Sequence, residues 1–264
     1  MKNHGVILGQ RDTDFAAGTL PYEEVNKSGD WTNYLPNGEW QKISGVDVMA
    51  CVTFSAINSI ETQYKFLTGQ ERNFSDRFTA FMSGTTIDGN WLWKVADSIR
   101  KDGLVDEFIW PTPNPITWVS YYERPTIEAI NKAKEFLNDW QVNYEFIDFT
   151  KESLIYHLKQ APIQIIIPGH AVLEFLNNQQ VEKYFDSYDP WIKDRTKPLS
   201  SALKIVLTRK NKTMSEKEVK LLYALAFYRE PDAGELAFWS GKNLEEFLKT
   251  AIRDRSIFLE AELN

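Results

Sequence analysis

The chain has 264 residues, 43% of them hydrophobic, and carries 37 acidic against 30 basic side chains for a net charge of −7. That length and apolar content describe a globular protein of one or two domains, and the acidic balance argues against a nucleic-acid partner. A single cysteine excludes an intrachain disulfide and points to a reducing compartment. No apolar run is long enough to span a bilayer, and the one at Val6-Ile7-Leu8 is too short for a signal peptide.

In chain order, the first fifty residues read as loop and short strand, because Gly, Pro, Asn and Asp recur between aromatics. Cys51 then opens an amphipathic helix in which Ala56, Ile57, Ile60, Tyr64 and Leu67 recur at helical spacing, with Gly69 at its exit. Ser75 caps a short helix through Met82. Asn90 caps another, which leaves at Gly103. Residues 101–115 are proline-rich and irregular. Thr126 begins a helix through Trp140, and Val142, Tyr144 and Phe146 alternate like a strand. Thr150 caps a helix to about Gln160. Strand-like runs follow at Ile163–Ile167, Ala171–Leu176 and Val181–Tyr188, with a turn at Asn177-Asn178-Gln179, and then at Ala202–Thr208. Helices first and strands second describe an α+β domain of two segregated lobes. Arg209–Thr213 is a charged linker. Beyond it, Ser215-x-x-Glu218 and Asp232-x-x-Glu235 fit capping boxes. The expected organisation is therefore residues 1–208, a linker at 209–213 and a small all-α unit at 214–264.

The chemistry rests on three residues. Cys51 stands where helix N–H groups and the helix dipole stabilise a thiolate, so its thiol is expected below the free-cysteine value. Downstream come His170, in Gly169-His170-Ala171-Val172, and Asp186, in Tyr184-Phe185-Asp186-Ser187-Tyr188. Alone, Cys51 reads as a buried small hydrophobe, His170 as a core histidine and Asp186 as a turn cap. In the order Cys, His, carboxylate they form a candidate nucleophile, base and orienter. Asp189, followed by Pro190, is the rival orienter. His157 lies on a helix and His4 in an irregular tail. Three histidines and one cysteine supply no metal-ligand pair, so no metal or cofactor is expected.

These residues resemble the papain-like cysteine peptidases. The family phrase Cys-Trp-Ala-Phe-Ser-Ala is similar to Cys51-Val52-Thr53-Phe54-Ser55-Ala56, its His-Ala-Val to His170-Ala171-Val172, and its Asn-Ser-Trp to Asp186-Ser187-Tyr188. The sixteen residues from His170 to Asp186 match the family's separation and favour Asp186 over Asp189. Asp30-Trp31 and Gly89-Asn90-Trp91 match further family segments, so the likeness covers roughly residues 20–208. The chain departs from the family at Ala50 and Val52, and in the 119 residues between Cys51 and His170. No inhibitory propeptide is expected, with about thirty residues ahead of Asp30-Trp31. The resemblance implies a helical left lobe, an antiparallel β right lobe and a cleft between them. It also implies a glutamine that binds the oxyanion. Gln41 is the candidate, ten residues before Cys51 where the family spacing is shorter; an insertion the size of Ile43-Ser44-Gly45-Val46 reconciles the two. The alternative makes Gln41 an ordinary surface residue.

The implied activity is cleavage of a peptide or protein substrate through a thioester. A vestigial papain fold serving as a structural or binding protein is the alternative, and an amidase or transglutaminase-like acyl transferase is a third reading. The run Arg229-Glu230-Pro231-Asp232-Ala233-Gly234-Glu235 through Trp239 resembles short helical modules of bacterial surface and phage-associated proteins. That likeness implies phage structural partners and a cytoplasmic or virion-associated setting. Phe227, Trp239, Phe247 and Phe258 are the expected docking side chains of this module.

Overall fold

The computed structural model describes residues 5–7, 24–210, 216–227, 229–244 and 246–250. The chain divides into two compact units, Met1–Thr208 and Arg209–Asn264. Among the described residues no helix is long and apolar enough to cross a membrane.

In the first unit a two-stranded hairpin, β1 (Lys42–Ile43) and β2 (Val46–Asp47), precedes the helix α1 (Cys51–Thr68). Ser44 and Gly45 both have positive φ, the backbone of the two-residue hairpin turn that matches strand twist. Helices α2 (Asp76–Met82), α3 (Leu92–Asp102), α4 (Trp118–Tyr121) and α5 (Ile127–Asp139) complete the helical side. Then come β3 (Trp140–Phe146), α6 (Lys151–Leu158), β4 (Ile163–Ile167), β5 (His170–Asn177), β6 (Glu182–Phe185), β7 (Ile192–Asp194) and β8 (Ser201–Arg209). Strands β3 to β8 form one sheet in the order β3-β8-β4-β5-β6-β7, antiparallel from β8 through β7.

Helix α1 packs on β4 and β5. Every residue from Cys51 to Gln63 is buried, so the helix is central rather than amphipathic. Its polar side chains are satisfied by bonds that tie it to the sheet. Ser59 Oγ donates to Pro162 O, Gln63 Nε2 donates to Ile205 O, and Gln63 Oε1 accepts from Leu207 N–H. Gly69 ends the helix in the left-handed conformation with its N–H on Lys65 O.

The caps at Ser75, Thr126 and Thr150 form with side-chain bonds to Phe78, Ala129 and Ser153 N–H. Asn90 does not cap α3; Trp91 occupies the N-cap position and makes no side-chain capping bond. Asn90 Nδ2 instead donates to Ser83 O, Ser83 Oγ and Thr85 Oγ1, which fixes the loop ahead of the helix. Trp140 belongs to β3 and not to the preceding helix. Strand β6 stops at Phe185, which releases Asp186, Ser187 and Tyr188 from the sheet. Trp31, fully buried, donates its indole N–H to Leu158 O at 2.7 Å and packs with Leu154, Ile165 and Phe175 beneath the sheet.

In the second unit, helices α7 (Glu216–Phe227) and α8 (Ala233–Trp239) pack on each other. Asp232 and Glu235 form the capping box of α8. Ser215 and Asn211–Thr213 lie outside the described residues, and Arg209, expected to open the linker, ends β8 instead. Trp239 and Phe247 pack with Val219 and Tyr223, and Phe227 lies against them. The aromatics expected to dock elsewhere therefore supply this unit's own core, while Phe258 lies outside the described residues.

Candidate functional site

Cys51 is the first residue of α1, and two features fix its backbone. Ser55 Oγ donates to Cys51 O at 2.7 Å, and Gln164 Nε2 reaches from β4 to Val52 O at 2.7 Å and Ser55 Oγ at 2.8 Å. His170 opens β5. The next residue, Ala171, donates its N–H to Cys51 Sγ at 3.4 Å, so the first residue of the helix and the first residues of the strand meet. His170 Nε2 lies 2.6 Å from Asp186 Oδ1.

Burial pushes the Asp186 carboxyl up, but His170 and then Lys193, 2.7 Å from Oδ2, outweigh it and hold the group below the usual carboxylate range. An ionised carboxylate only accepts, so Nε2 carries the proton, and Nδ1 is the nitrogen left for acid–base work. Asp189, in a cis peptide with Pro190, is exposed, and Asp186 makes the contact with the imidazole. His157 is engaged elsewhere, 3.1 Å from Lys204 Nζ. His4 lies outside the described residues.

The thiol differs from its expected state. Cys51 is fully buried, and that burial pushes its thiol up to about 12; the Ala171 N–H offsets this in part, while Asp47 and Asp186 add to it. The helix N-terminus does not overcome desolvation here.

Gln41 is not a surface residue; it is fully buried. The hairpin β1–β2 is the insertion between it and Cys51, and it folds back so that Gln41 O accepts from Val48 N–H at 3.2 Å. Gln41 Nε2 donates to Asp47 Oδ1 at 2.9 Å and to Tyr188 Oη at 3.0 Å. Ser187 Oγ donates to Gln41 Oε1 at 3.2 Å. Tyr188 also tilts against the His170 ring at 5.4 Å between centroids, so one residue borders both Gln41 and the imidazole.

Two further parts were not foreseen. Tyr122, just after α4, donates to Val48 O at 2.6 Å, which ties the end of that helix to the backbone three residues before Cys51. Buried Arg77 holds the 103–126 segment through Tyr121 O and Pro111 O, with its guanidinium 4.3 Å from the Trp110 ring centre. The other part is the segment at residues 5–7, held by an isolated β-bridge. Val6 pairs in parallel with Asn90, Asn90 N–H donates to Gly5 O at 3.0 Å, and Ile7 N–H donates to Asn90 O at 2.8 Å. Gly5 has φ +104° and lies so close to Met49 O that a Cβ would fall 2.0 Å from it. Val6 joins the buried cluster that contains Cys51. Part of a region expected to be loop and short strand therefore packs against Met49, two residues from the nucleophile candidate. In sequence, the signals were Ser44-Gly45 between Gln41 and Cys51 and the short apolar run at Val6-Ile7-Leu8; neither says what it packs against.

The arrangement, a buried helix opening with cysteine against an antiparallel sheet that carries the histidine, is papain-like. Solved structures agree on the fold. Xylellain, a cysteine protease from Xylella fastidiosa, superposes with a TM-score of 0.59 at 14% identity over 77% of this chain and 96% of its own. The bromelain protease from Ananas comosus, in complex with the E64 inhibitor, gives 0.51 at 15% identity over 67% and 97%. The proform of Amb a 11, a ragweed pollen cysteine protease, gives 0.52 at 15% over 67% of this chain and 65% of its own, just under two thirds of that protein. No protein-family model and no curated protein matches the sequence.

Proposed function

We propose that this protein is a cysteine peptidase that cleaves peptide bonds through Cys51, His170 and Asp186. The supporting observation is the 2.6 Å contact of His170 Nε2 with Asp186 beside the 3.4 Å contact of Ala171 N–H with Cys51 Sγ. His170 Nδ1 takes the thiol proton as Cys51 Sγ attacks the peptide carbonyl carbon. The tetrahedral oxyanion is held by the Cys51 N–H and the Gln41 side-chain amide. The C–N bond then breaks, and the imidazolium returns the proton to the leaving amine. Water, deprotonated by His170, attacks the remaining thioester and releases the acid and the thiol.

Substrate entry requires the segment at residues 5–7 to yield. In the same reading, the small helical unit attaches the enzyme to a phage particle; co-sedimentation of the chain with virions, and its loss on removal of residues 210–264, tests that setting. A second reading, a papain fold kept as a structural or binding protein, draws on the complete burial of Cys51 and its raised thiol. Hydrolysis of a pooled peptidyl-coumarin library separates the two. Turnover abolished by Cys51→Ala supports the peptidase. No turnover from folded protein supports the second reading.

A further inference from the structure

The hydrogen bonds around Gln41 form a closed ring. Gln41 Nε2 donates one hydrogen to Asp47 Oδ1 at 2.9 Å and one to Tyr188 Oη at 3.0 Å, and Tyr188 Oη donates its own hydrogen to Asp47 Oδ2 at 2.6 Å. Asp47 Oδ1 also accepts from Met49 N–H at 3.0 Å, so the carboxylate is tied to the backbone just before the nucleophile. The β1–β2 hairpin supplies this residue, for Asp47 pairs with Lys42, the neighbour of Gln41. Gln41 is fully buried. Its amide therefore stays where the ring puts it.

We propose that Asp47 is the positioning residue of the oxyanion donor, anchoring the Gln41 amide beside Cys51 while Tyr188 holds the amide hydrogen that is released to the reacting oxygen. The inference rests on the peptidase reading. A primary amide has two N–H donors, and both are engaged. The bond to Asp47 is charge-assisted and is the stronger of the two. The Tyr188 oxygen is a neutral acceptor whose own proton is committed to Asp47, so it yields to a developing oxyanion. Donation in the transition state then needs a small movement about a fixed pivot, without reorganisation of the chain.

Asp47 acts only through Gln41, which makes a double-mutant cycle the decisive test. The readout is steady-state hydrolysis of the best substrate from a pooled peptidyl-coumarin library. Gln41→Ala and Asp47→Ala should each lower kcat by about ten- to a hundredfold with KM little changed, as expected for a donor used in the transition state. Asp47→Ala placed in the Gln41→Ala background should cost less than about twofold more. Asp47→Asn, whose carbonyl still accepts from the Gln41 amide, should recover kcat to within about threefold of the native chain. Additive losses, a change in KM alone, or an Asn variant as slow as the Ala variant would overturn the role of Asp47. If Asp47→Ala does not fold, Asp47→Ser, whose shorter side chain withdraws the acceptor from the Gln41 amide, is cycled with Gln41→Ala and read in the same way.

Iodoacetamide labelling of Cys51 in native and His170→Ala protein keeps the two claims apart. Labelling that depends on His170, together with additive cycles, rejects Asp47 and leaves the peptidase. Labelling independent of His170, with no library substrate turned over, rejects both.

Discussion

Two walls near Cys51 each carry a carboxylate, Asp186 on the sheet side and Asp47 on the hairpin side; both raise the Cys51 thiol, and they differ in the partners they hold. On the sheet side, Asp186 takes His170 and Lys193 and is held below the usual carboxylate range. On the hairpin side, Asp47 takes Gln41, Tyr188 and the Met49 N–H, and its charge adds to the rise of the Cys51 thiol. The first wall supplies an acceptor that orients the imidazole of His170. The second fixes a neutral donor, the Gln41 side-chain amide. What each carboxylate does is set by what it holds: in the proposed reaction Asp186 orients the base and Asp47 the oxyanion donor.

The most severe way to break the comparison is to remove the atoms both walls serve. Cys51→Ala or His170→Ala should lower peptide hydrolysis by at least about a thousandfold, because members of such a unit fail together. Initial rates on the coumarin library measure it, and near-native rates in either variant would sink the assignment.

Next comes the sheet-side wall alone. Asp186→Ala should cost about a hundredfold in kcat by freeing the imidazole, whereas Asp186→Asn keeps an acceptor and should lose about tenfold or less. The same residue shapes acid stability. Its folded value is depressed, so its contribution is present above the unfolded value of about 3.9 and is lost as pH falls through the lower folded value. Urea unfolding of native and Asp186→Asn protein should therefore differ by about 1–3 kcal/mol at pH 6 and converge toward pH 3. A gap that widens on acidification contradicts the pairing.

A smaller effect is expected from the segment beside Met49. Val6→Asp places a charge in a buried position and should release residues 5–7, raising the rate of Cys51 alkylation by about tenfold at pH 8 through local opening. An unchanged rate would mean that the segment does not cover the thiol. The smallest effect lies outside both walls. Asp232→Ala removes the capping box of α8 and should cost about 1 kcal/mol within the second unit. Alkylation of Cys51 in that variant should match the native chain.

Legibility followed the range of the interaction that decides each feature. The run Ile163–Ile167 is apolar but for Gln164 and is a buried central strand, as its composition predicts. The caps at Ser75, Thr126, Thr150 and Asp232 are local bonds within four residues, and each forms. The order Cys51, His170, Asp186 could be read as a candidate unit because side-chain types and spacing survive in the linear chain. That Ala171 N–H meets Cys51 and His170 meets Asp186 depends on β4 and β5 aligning against α1, which spacing alone does not show. The state of the thiol was misjudged for the same reason. A helix N-terminus is visible in sequence, and the residues that bury it are not. Gln41 shows the limit most plainly. Its distance from Cys51 became intelligible only as a hairpin, and its partners Ser187 and Tyr188 lie 146 and 147 residues away.

The most direct test of the central claim is mass-spectrometric labelling of the full chain with a peptidyl epoxide, in native and His170→Ala forms, followed over time. If Cys51 and His170 act as one acyl-transfer unit, native protein acquires a single adduct on Cys51, and His170→Ala acquires it at least about a hundredfold more slowly. Equal rates in the two proteins, or no adduct on folded native protein whose urea-unfolded thiol alkylates normally, would contradict the account.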